Sequence, residues 1–413
     1  MLPVMVSADS QTRGPALPAG PRVVVFGAGA FGGWTALELR RRGARVTLVD
    51  AWGPGNARAS SGGETRVIRA TYGARTIYTK MAMRAMTLWR AHDARYQRGL
   101  FRKTGALWML GGDAVGNEDA FGRASVATLR AEQLPIDELT PAAAAARFPQ
   151  IAFDDTDTIT SVLWEPEAGY LFARRACEHV LECFVAEGGE YRQAAAPAPV
   201  AIGDGPVQRL ALADGSTLEA DTFVFACGPW LGALFPDVVG ARVTPTRQEV
   251  YYFGTPPGDT RFLDPSMPVW VDYRDRFYYG IPGNANRGFK VADDTPGPPI
   301  DPSEAIRDAT PAGIAAARRF LGQRFPALAG APLLGSEVCQ YEASPDSHFI
   351  IDRHPRAANV WIAGGGSGHG FKMGPAVGER VADHVLGGLM PDPQFALTRL
   401  ASPPVAGWPH KWT

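Results

Sequence analysis

The hydrophobic and polar positions near the start of the chain predict a compact strand–helix–strand unit. Val23–Phe26 is a short apolar run, which is typical of a parallel strand buried on both faces. After a glycine-rich turn, residues 34–42 carry apolar positions at helical spacing and end at Gly43. Ala44–Val49 is a second apolar run. The pattern therefore indicates two parallel strands joined by a helix.

The same order of elements returns near the C-terminus. Asn359–Ala363 is an apolar strand, Gly364–Lys372 is a glycine-rich loop, and residues 374–389 have a helical pattern. A single nucleotide site needs only one such loop. Two glycine loops at opposite ends of the chain therefore suggest one large cofactor that both loops bind.

The middle of the chain mixes helical and strand-like patterns. We predict helices over residues 78–95, 172–187 and 305–320, and a helical patch over 125–132. Residues 190–225 alternate like antiparallel strands around a turn at Asp214–Gly215, and residues 243–292 are rich in strands. This mixture predicts a second region built on an antiparallel sheet.

Composition and charge exclude several classes of protein. The 413 residues are 46% hydrophobic and 20% charged, which is ordinary for a soluble enzyme of two or three domains. A net charge of -1 shows no excess of basic residues of the kind that binds nucleic acid or anionic lipid. No apolar run approaches the roughly 18 residues of a membrane span, and residues 1–20 make a poor signal peptide. We therefore expect a cytoplasmic protein.

The four cysteines do not form a recognisable framework. Their spacing fits neither a metal-binding pair nor a set of disulfides, so we predict no metal site. The default interpretation of each cysteine is a small buried hydrophobic residue.

The first glycine loop has the physical features of a dinucleotide-binding turn. Gly27 permits the tight turn, Gly29 lets a pyrophosphate approach the backbone, and Gly32 lets the helix pack closely. The helix N-terminus offers free N–H groups to a phosphate, and Asp50 is placed to accept from ribose hydroxyls. The motif does not choose between NAD and FAD, but the second glycine loop and the long interruptions favour FAD.

Six distinctive segments stand out, and they are Ser60–Gly73, Tyr278–Pro282, Gly288–Lys290, Cys339–Tyr341, Pro345–Asp352 and Ser367–Lys372. In their order and approximate spacing, from about residue 22 to 390, these segments resemble the sarcosine and N-methyl-amino-acid oxidases. Those enzymes are a branch of the FAD-dependent oxidoreductases related to glycine and D-amino-acid oxidases.

The resemblance implies a fold and a domain plan. It implies a Rossmann-type FAD-binding domain of α/β class, interleaved with an α+β substrate domain on an antiparallel sheet. We place the first in residues 20–100, 164–236 and 338–395, and the second in 101–163 and 237–337. Residues 1–19 are expected to be a flexible tail.

The resemblance also implies which residues hold FAD. Cys339 matches the cysteine that bonds the flavin 8α-methyl group, and a thiolate is the natural nucleophile for that bond; the alternative is an inert strand cysteine. Arg66 matches an arginine set against the flavin. The predicted cofactor-binding residues are Gly27, Gly29, Phe31, Gly32, Asp50, Ser60, Ser61, Thr65, Arg66, Gly228, Trp230, Cys339, Gly366, Gly368, His369, Gly370 and Lys372.

Further matched positions imply catalytic roles. Arg69 and Lys372 match the pair of cations that holds the substrate carboxylate, and Lys290 matches a lysine near flavin N5 that aids oxygen reduction. Tyr279 and Tyr341 match tyrosines that line the substrate pocket. The alternative for the three cations is an ordinary exposed position in solvent.

One departure from the pattern concerns the substrate. Four residues past Lys290 the sarcosine oxidases have a histidine that faces the substrate, whereas this chain has Asp294. An acid there would meet a cationic group of a larger substrate or point to solvent, so sarcosine itself is in doubt. His369 fits a structural role as well as a catalytic one.

The sequence therefore predicts an FAD-dependent amine oxidase acting on a secondary or N-substituted α-amino acid and producing hydrogen peroxide. Its expected partners are a small-molecule amine and oxygen, and it is expected to be a monomer or weak homo-oligomer. Two alternatives stay open. One is an oxidase of another amine, such as a cyclic imino acid, a glycated amino acid or a biosynthetic intermediate. The other is a flavin dehydrogenase that passes electrons to a partner.

Overall fold

The structure, a computed structural model, describes residues 20–111, 118–153, 158–274, 276–304 and 306–401. The predicted flexible tail, residues 1–19, lies outside the described residues. The chain folds into a mixed α/β structure with two large sheets, which confirms the predicted fold class.

The first large sheet has six strands and contains both predicted nucleotide-binding units. Its strands are parallel except for β18, which pairs antiparallel with β19 at one edge. Numbered in chain order and given in spatial order, they are β18 (Ile350–His354), β19 (Ala357–Gly364), β12 (Thr222–Phe225), β1 (Arg22–Phe26), β2 (Arg45–Asp50) and β9 (Glu190–Gln193).

Strand β1 lies in the middle of this sheet and is buried on both faces, as its apolar run predicts. Val23 and Val25 pack in the main core on one face, and Val24 and Phe26 pack in a separate core on the other. The side chains of a strand alternate between its two faces. A central strand with a core on each side therefore needs apolar residues at every position.

The second large sheet has eight strands and brings together segments far apart in the chain. It is antiparallel except where β14 runs parallel to β5. In spatial order its strands are β17 (Leu333–Ala343), β13 (Thr244–Phe253), β16 (Phe289–Asp293), β15 (Phe277–Ile281), β14 (Val269–Tyr273), β5 (Ala106–Gly111), β7 (Ile159–Glu165) and β6 (Asp137–Leu139).

Two small sheets and eight α-helices complete the described fold. One small sheet is β3 (Thr65–Ile68), β8 (Gly169–Phe172) and β4 (Phe101–Arg102), and the other is β10 (Arg209–Ala211) with β11 (Thr217–Glu219). The helices are α1 (Ala30–Arg41), α2 (Thr76–Tyr96), α3 (Glu118–Ala131), α4 (Pro141–Arg147), α5 (Ala173–Ala186), α6 (Leu231–Leu234), α7 (Pro311–Arg324) and α8 (Gly374–Gly387).

The arrangement of the sheets does not test the predicted division into two domains. Strand β17 belongs to the eight-stranded sheet, yet its second half falls in the segment assigned to the FAD-binding domain. The division into two domains therefore stays a prediction.

Two predictions of secondary structure are corrected. The prediction of antiparallel strands over residues 190–225 holds only for β10 and β11, because β9 and β12 join the parallel sheet instead. The predicted helix over 305–320 begins later, at Pro311, where Thr310 accepts a hydrogen bond from Gly313 and caps the helix.

The helices that follow the two glycine loops, α1 and α8, pack against each other at close range. A Cβ atom at Gly378 of α8 would lie 2.8 Å from the backbone carbonyl of Trp34 in α1. Backbone atoms of a helix cannot move aside as a flexible side chain can. Glycine at this position therefore holds the two loops at their observed separation.

We predict that Gly378→Ala lowers the free energy of unfolding by about 1–3 kcal/mol, because the added methyl group overpacks the interface of α1 and α8. Gly322→Ala in α7 is the matched control, since a Cβ there has no atom within 4 Å. It should be neutral or stabilising, because alanine favours a helix over glycine. Urea unfolding of both variants measures the difference. Equal effects of the two substitutions would show that the close contact does not matter.

Candidate active site

A large cavity lies at the edge of the six-stranded sheet where its parallel strands end. Its volume is about 320 Å³. Residues that follow β1, β2, β9, β12 and β19 all line it. The carboxyl ends of parallel strands form the usual ligand-binding edge of such a sheet.

The loop between β1 and α1 has the backbone geometry that the sequence predicts for a phosphate-binding turn. Gly27 has a φ of 101°, and a Cβ there would lie 2.4 Å from the carbonyl oxygen of Ala226. A Cβ at Gly32 would lie 1.8 Å from the Gly27 carbonyl oxygen, so that position also needs glycine. Ser61 accepts a hydrogen bond from the Ala30 N–H at 2.9 Å, so its hydroxyl stands at the N-terminus of α1.

Asp50 lies at the end of β2 and lines the same cavity. Its carboxylate accepts hydrogen bonds from the backbone N–H groups of Ala28, Trp52 and Gly53, at 2.7, 2.9 and 2.7 Å. Burial raises the pKa of Asp50, although these three hydrogen bonds oppose the shift. The side chain is thus fixed in place at the cavity wall.

Most of the predicted cofactor-binding residues are brought together around this cavity. Those that line it are Gly27, Gly29, Phe31, Asp50, Ser60, Ser61, Arg66, Gly228, Trp230, Gly366, Gly368 and Gly370. Gly32, Thr65 and Cys339 are not among its described lining residues, and His369 and Lys372 line a second cavity instead.

The cavity fits a large polar cofactor such as FAD. The hydroxyl oxygen of Ser60 and the Oε2 atom of Glu342 are buried at its wall and have no hydrogen-bond partner among the described residues. Buried polar atoms are normally paired, so unpaired ones at a cavity wall indicate that a ligand supplies their partners. The open N-terminus of α1 and its glycine turn suit the pyrophosphate of a dinucleotide.

A second, smaller cavity of about 60 Å³ adjoins the first. Four residues line both cavities, namely Arg66, Tyr341, Gly368 and Phe371. Five of the six residues predicted to be catalytic line the smaller cavity, and these are Arg69, Tyr279, Asp294, Tyr341 and Lys372. The structure therefore places the predicted substrate residues directly beside the predicted cofactor residues.

Two buried cations face the smaller cavity. Arg69 lies with its guanidinium carbon 4.3 Å from the ring centre of Tyr72 and 4.8 Å from that of Trp108. Lys372 donates hydrogen bonds to the Tyr72 hydroxyl at 3.1 Å and to the His369 carbonyl at 2.9 Å. Burial lowers the pKa of Arg69, since removal from water disfavours its charged form. An anionic group bound between these residues would offset that cost.

Asp294 points into the smaller cavity and not to solvent. It is 9% exposed, and its Oδ1 accepts a hydrogen bond from the Tyr341 hydroxyl at 2.6 Å. Burial raises the pKa of Tyr341, and the neighbouring Asp294 raises it further. Tyr341 is therefore a neutral hydrogen-bond donor to Asp294. The Asp294 carboxylate thus lies in the same cavity as the two cations.

His369 is bound through both of its ring nitrogens. Nε2 lies 2.9 Å from the Ser347 carbonyl oxygen, and Nδ1 lies 3.4 Å from the Tyr72 hydroxyl. A ring held at both nitrogens by the protein is suited to a structural role, which favours that alternative for His369.

Lys290 is buried on β16 and is not among the described residues that line either cavity. Its Nζ donates a hydrogen bond to the Thr65 carbonyl at 3.0 Å. Burial and the positive charge of Arg66 lower the pKa of Lys290 to about 7.

Cys339 lies beside the large cavity on β17. Arg66 donates a hydrogen bond to its sulfur at 3.1 Å, and the sulfur is 3.9 Å from the Ser60 carbonyl oxygen. Both partners line the cavity, so the thiol stands at its border with a cation next to it.

Sequence reasoning missed several residues at the cavity. Glu342 follows the recognised Cys339–Tyr341 block by one residue, and the alternation of a strand would have placed it on the face opposite to Cys339 and Tyr341. Four alanines after β9 also line the cavity, namely Ala194, Ala195, Ala196 and Ala198, and Cys227 lies in the loop after β12. The omission of the four alanines follows from the wrong pairing predicted for residues 190–225.

A group of three potential metal ligands lies outside both cavities. The side chains of His92, His179 and Cys183 are buried, and their ligand atoms lie within 4.8 Å of one another. His179 contacts Glu182 through one ring nitrogen and Cys183 through the other. Protein partners thus account for the position of His179, and the prediction of no metal stays a prediction.

Among the helices in the described part of the chain, none combines the length and apolar character that crossing a membrane requires.

Comparison with known proteins agrees with this geometry. The sequence model of a family described as FAD dependent oxidoreductase matches residues 22–384. Monomeric sarcosine oxidase from Bacillus sp. (strain NS-129) is 31% identical over 365 residues, which is 87% of this chain and 91% of that protein. N-methyl-L-tryptophan oxidase from Salmonella heidelberg (strain SL476) is 29% identical and covers 91% of this chain and 96% of that protein.

Solved structures share the fold at lower identity. L-proline dehydrogenase from P. horikoshii superposes with a TM-score of 0.79 at 21% identity, over 93% of this chain and 99% of that one. Fructosyl amine:oxygen oxidoreductase (amadoriase I) from Aspergillus fumigatus gives 0.75 at 20% identity, over 94% and 91%. The match of the family model to most of the chain, together with the identity to the Bacillus sarcosine oxidase, shows that this chain belongs to the FAD-dependent oxidoreductase family.

Proposed function

We propose that this protein oxidises a secondary or N-substituted α-amino acid with FAD as cofactor and oxygen as electron acceptor. The observation that carries the proposal is the smaller cavity, which Arg69 and Lys372 line together with Asp294 and its hydrogen-bond donor Tyr341, beside the large cavity. An amino acid carries an anionic and a basic group, and the cavity offers a partner for each. Bound FAD supplies the hydride acceptor, and its reoxidation by oxygen yields hydrogen peroxide.

The protein's own residues orient the substrate. Arg69 and Lys372 bind its carboxylate, and Arg69 supplies a planar fork for that purpose. Tyr279 and Tyr341 line the pocket, and Phe371 forms part of the wall shared with the cofactor cavity. Holding the substrate this way fixes the carbon that loses hydride relative to the cofactor.

Asp294 distinguishes between substrates. The substrate carbon can lose hydride only when the neighbouring amine is the neutral base. The rate of oxidation should therefore rise with pH through the pKa of the bound amine. Asp294 offers a negative charge to a ligand in the same pocket, which favours a substrate with an additional cationic or hydrogen-bond-donating group. This residue is the reason to keep a second candidate, an oxidase of a larger amine such as a glycated amino acid or a cyclic imino acid.

The remaining features of the proposal concern the state of the protein. We propose that FAD is bound covalently through Cys339, and that the enzyme works as a monomer or weak homo-oligomer in the cytoplasm.

We predict that the enzyme releases hydrogen peroxide when it is supplied with N-substituted α-amino acids. A panel should include sarcosine, a larger N-methyl-amino acid, a cyclic imino acid and a glycated amino acid. Each should be paired with an analogue that lacks the carboxylate. The analogues should show a kcat/KM lower by about 100-fold, since the carboxylate that would bind the two buried cations is missing.

A parallel assay with an artificial dye as electron acceptor separates oxidase from dehydrogenase. Turnover with the dye but not with oxygen would replace the oxidase by a dehydrogenase. No turnover of any amine with either acceptor would contradict the proposal itself.

We predict that the yellow cofactor stays with the polypeptide after denaturation in acid, because Cys339 binds it. Forming this S–C bond removes one hydrogen from the thiol and one from the methyl carbon, and the two electrons pass through the flavin to oxygen. In the Cys339→Ser variant, acid should release all of the flavin into the supernatant. Cys227→Ser is the matched control and should retain it. Free flavin from the unmodified protein would refute the covalent link.

We predict that Lys290→Met slows flavin reoxidation by about 100-fold while flavin reduction by substrate changes little, since the lost charge stabilises only the forming superoxide. Lys290 is charged below its pKa of about 7 and neutral above it. Reoxidation of the unmodified enzyme should therefore slow as pH rises through 7, and the variant should lack this dependence. Stopped-flow absorbance measures both half-reactions. Equal slowing of the two would exclude this role.

A further inference from the structure

Glu342 is a buried carboxyl at the wall of the large cavity that the proposed reaction does not use. It lies on β17 directly after Tyr341 and is 7% exposed. Its Oε1 accepts a hydrogen bond from the Gly366 backbone N–H at 3.1 Å. Its Oε2 is buried and has no hydrogen-bond partner within the described part of the chain. Such an atom costs free energy unless a ligand pairs with it.

Three glycines leave the space beside this carboxyl open. Cβ atoms at Gly228 and Gly364 would lie 3.6 and 3.3 Å from Oε2, and one at Gly366 would lie 2.9 Å from Oε1. These glycines come from the ends of β12 and β19, two neighbouring strands of the six-stranded sheet. Gly228 and Gly366 also line the cavity. The unpaired oxygen is therefore at a position that a cofactor in the cavity can reach.

The surroundings of Glu342 do not neutralise a negative charge. Among the described residues, no cationic side chain forms an ion pair or hydrogen bond with it. The groups that face it are the backbone N–H groups of Gly365 and Gly366 and the Cys227 thiol, whose own pKa is raised by burial. Burial raises the pKa of Glu342 to about 7, although the two N–H groups oppose the shift. Near neutral pH the side chain is therefore easily protonated.

FAD carries two negative charges on its pyrophosphate, and an ionised Glu342 at the same cavity would add a third. We propose that Glu342 binds FAD as a neutral carboxylic acid, with the O–H at Oε2 donating a hydrogen bond to an oxygen atom of the cofactor. The inference rests on the use of FAD in the proposed function. It assigns the unpaired Oε2 a partner and avoids burying like charges together.

The proposal makes FAD binding dependent on pH. Above pH 7 the free site loses the Glu342 proton, so each FAD molecule bound must take one up again. The dissociation constant for FAD should then rise by up to about 10-fold for each pH unit above 7. Lys290 titrates in the same range and lies near Arg66, so the comparison must isolate the contribution of Glu342.

The test uses full-length protein with Cys339→Ser, so that FAD binding is reversible. Titration of the apoprotein with FAD, followed by flavin fluorescence between pH 6 and 9, gives the dissociation constant. We expect Glu342→Gln, which stays neutral at every pH, to remove most of the rise above pH 7. Glu138→Gln is the matched control at an exposed glutamate on β6 and should leave the rise unchanged. An unaltered rise in Glu342→Gln would overturn the proposal.

A second measurement does not depend on the Glu342 variant folding. Calorimetry of FAD binding at pH 8 in buffers of different ionisation enthalpy counts the protons taken up, and it is done with Cys339→Ser that also carries Lys290→Met, so that Lys290 contributes none. We expect an uptake close to one proton for each FAD, and an uptake near zero would overturn the proposal. FAD binding without a pH effect refutes only this inference. FAD binding without oxidation of any amine refutes only the proposed function.

Discussion

The site depends on burying positive charge where the two large sheets meet. Arg69, Lys290 and Lys372 are each no more than 5% exposed. Removing a charged group from water costs several kcal/mol unless another group pairs with it. The protein offsets part of this cost with backbone carbonyls that bind Lys290 and Lys372 and with the carboxylate of Asp294 near Arg69. In the proposed function, the substrate carboxylate would supply a further negative charge, so that substrate binding would offset part of the cost of burying the cations.

Strand β17 links the two halves of the site. It is the edge strand of the eight-stranded sheet, yet residues of its second half line the cavity at the edge of the six-stranded one. Tyr341 lines both cavities, and the next residue, Glu342, lines the larger. One strand thus sets the distance between substrate and cofactor groups. The packing of α1 against α8 sets the distance between the two glycine loops in the same way.

Local patterns in the sequence predict only part of this arrangement. Gly27 and Asp50 were predictable because their roles depend on one turn and the strand beside it. The pairing of β9 and β12 was not, because it depends on which distant strands lie beside them in the sheet. Glu342 was missed because a charged residue in a strand is usually exposed. Only the fold shows that the Glu342 side chain on β17 faces a cavity that residues of both glycine loops also line. Lys290 was identified by resemblance, but its burial and lowered pKa follow only from the packing of β16.

Two buried groups give this site an unusual sensitivity to pH. Glu342 and Lys290 both have a pKa of about 7, for the common reason that burial disfavours the charged form. As pH rises through 7, Glu342 changes from neutral to negative and Lys290 from positive to neutral, so each lowers the local charge by one. Both changes act against a cofactor with two negative charges. Among the described residues, neither group forms an ion pair that would stabilise its charged form, and burial brings both pKa values into one narrow range of pH. In the proposed function, FAD binding and reoxidation by oxygen would therefore respond to pH over the same range.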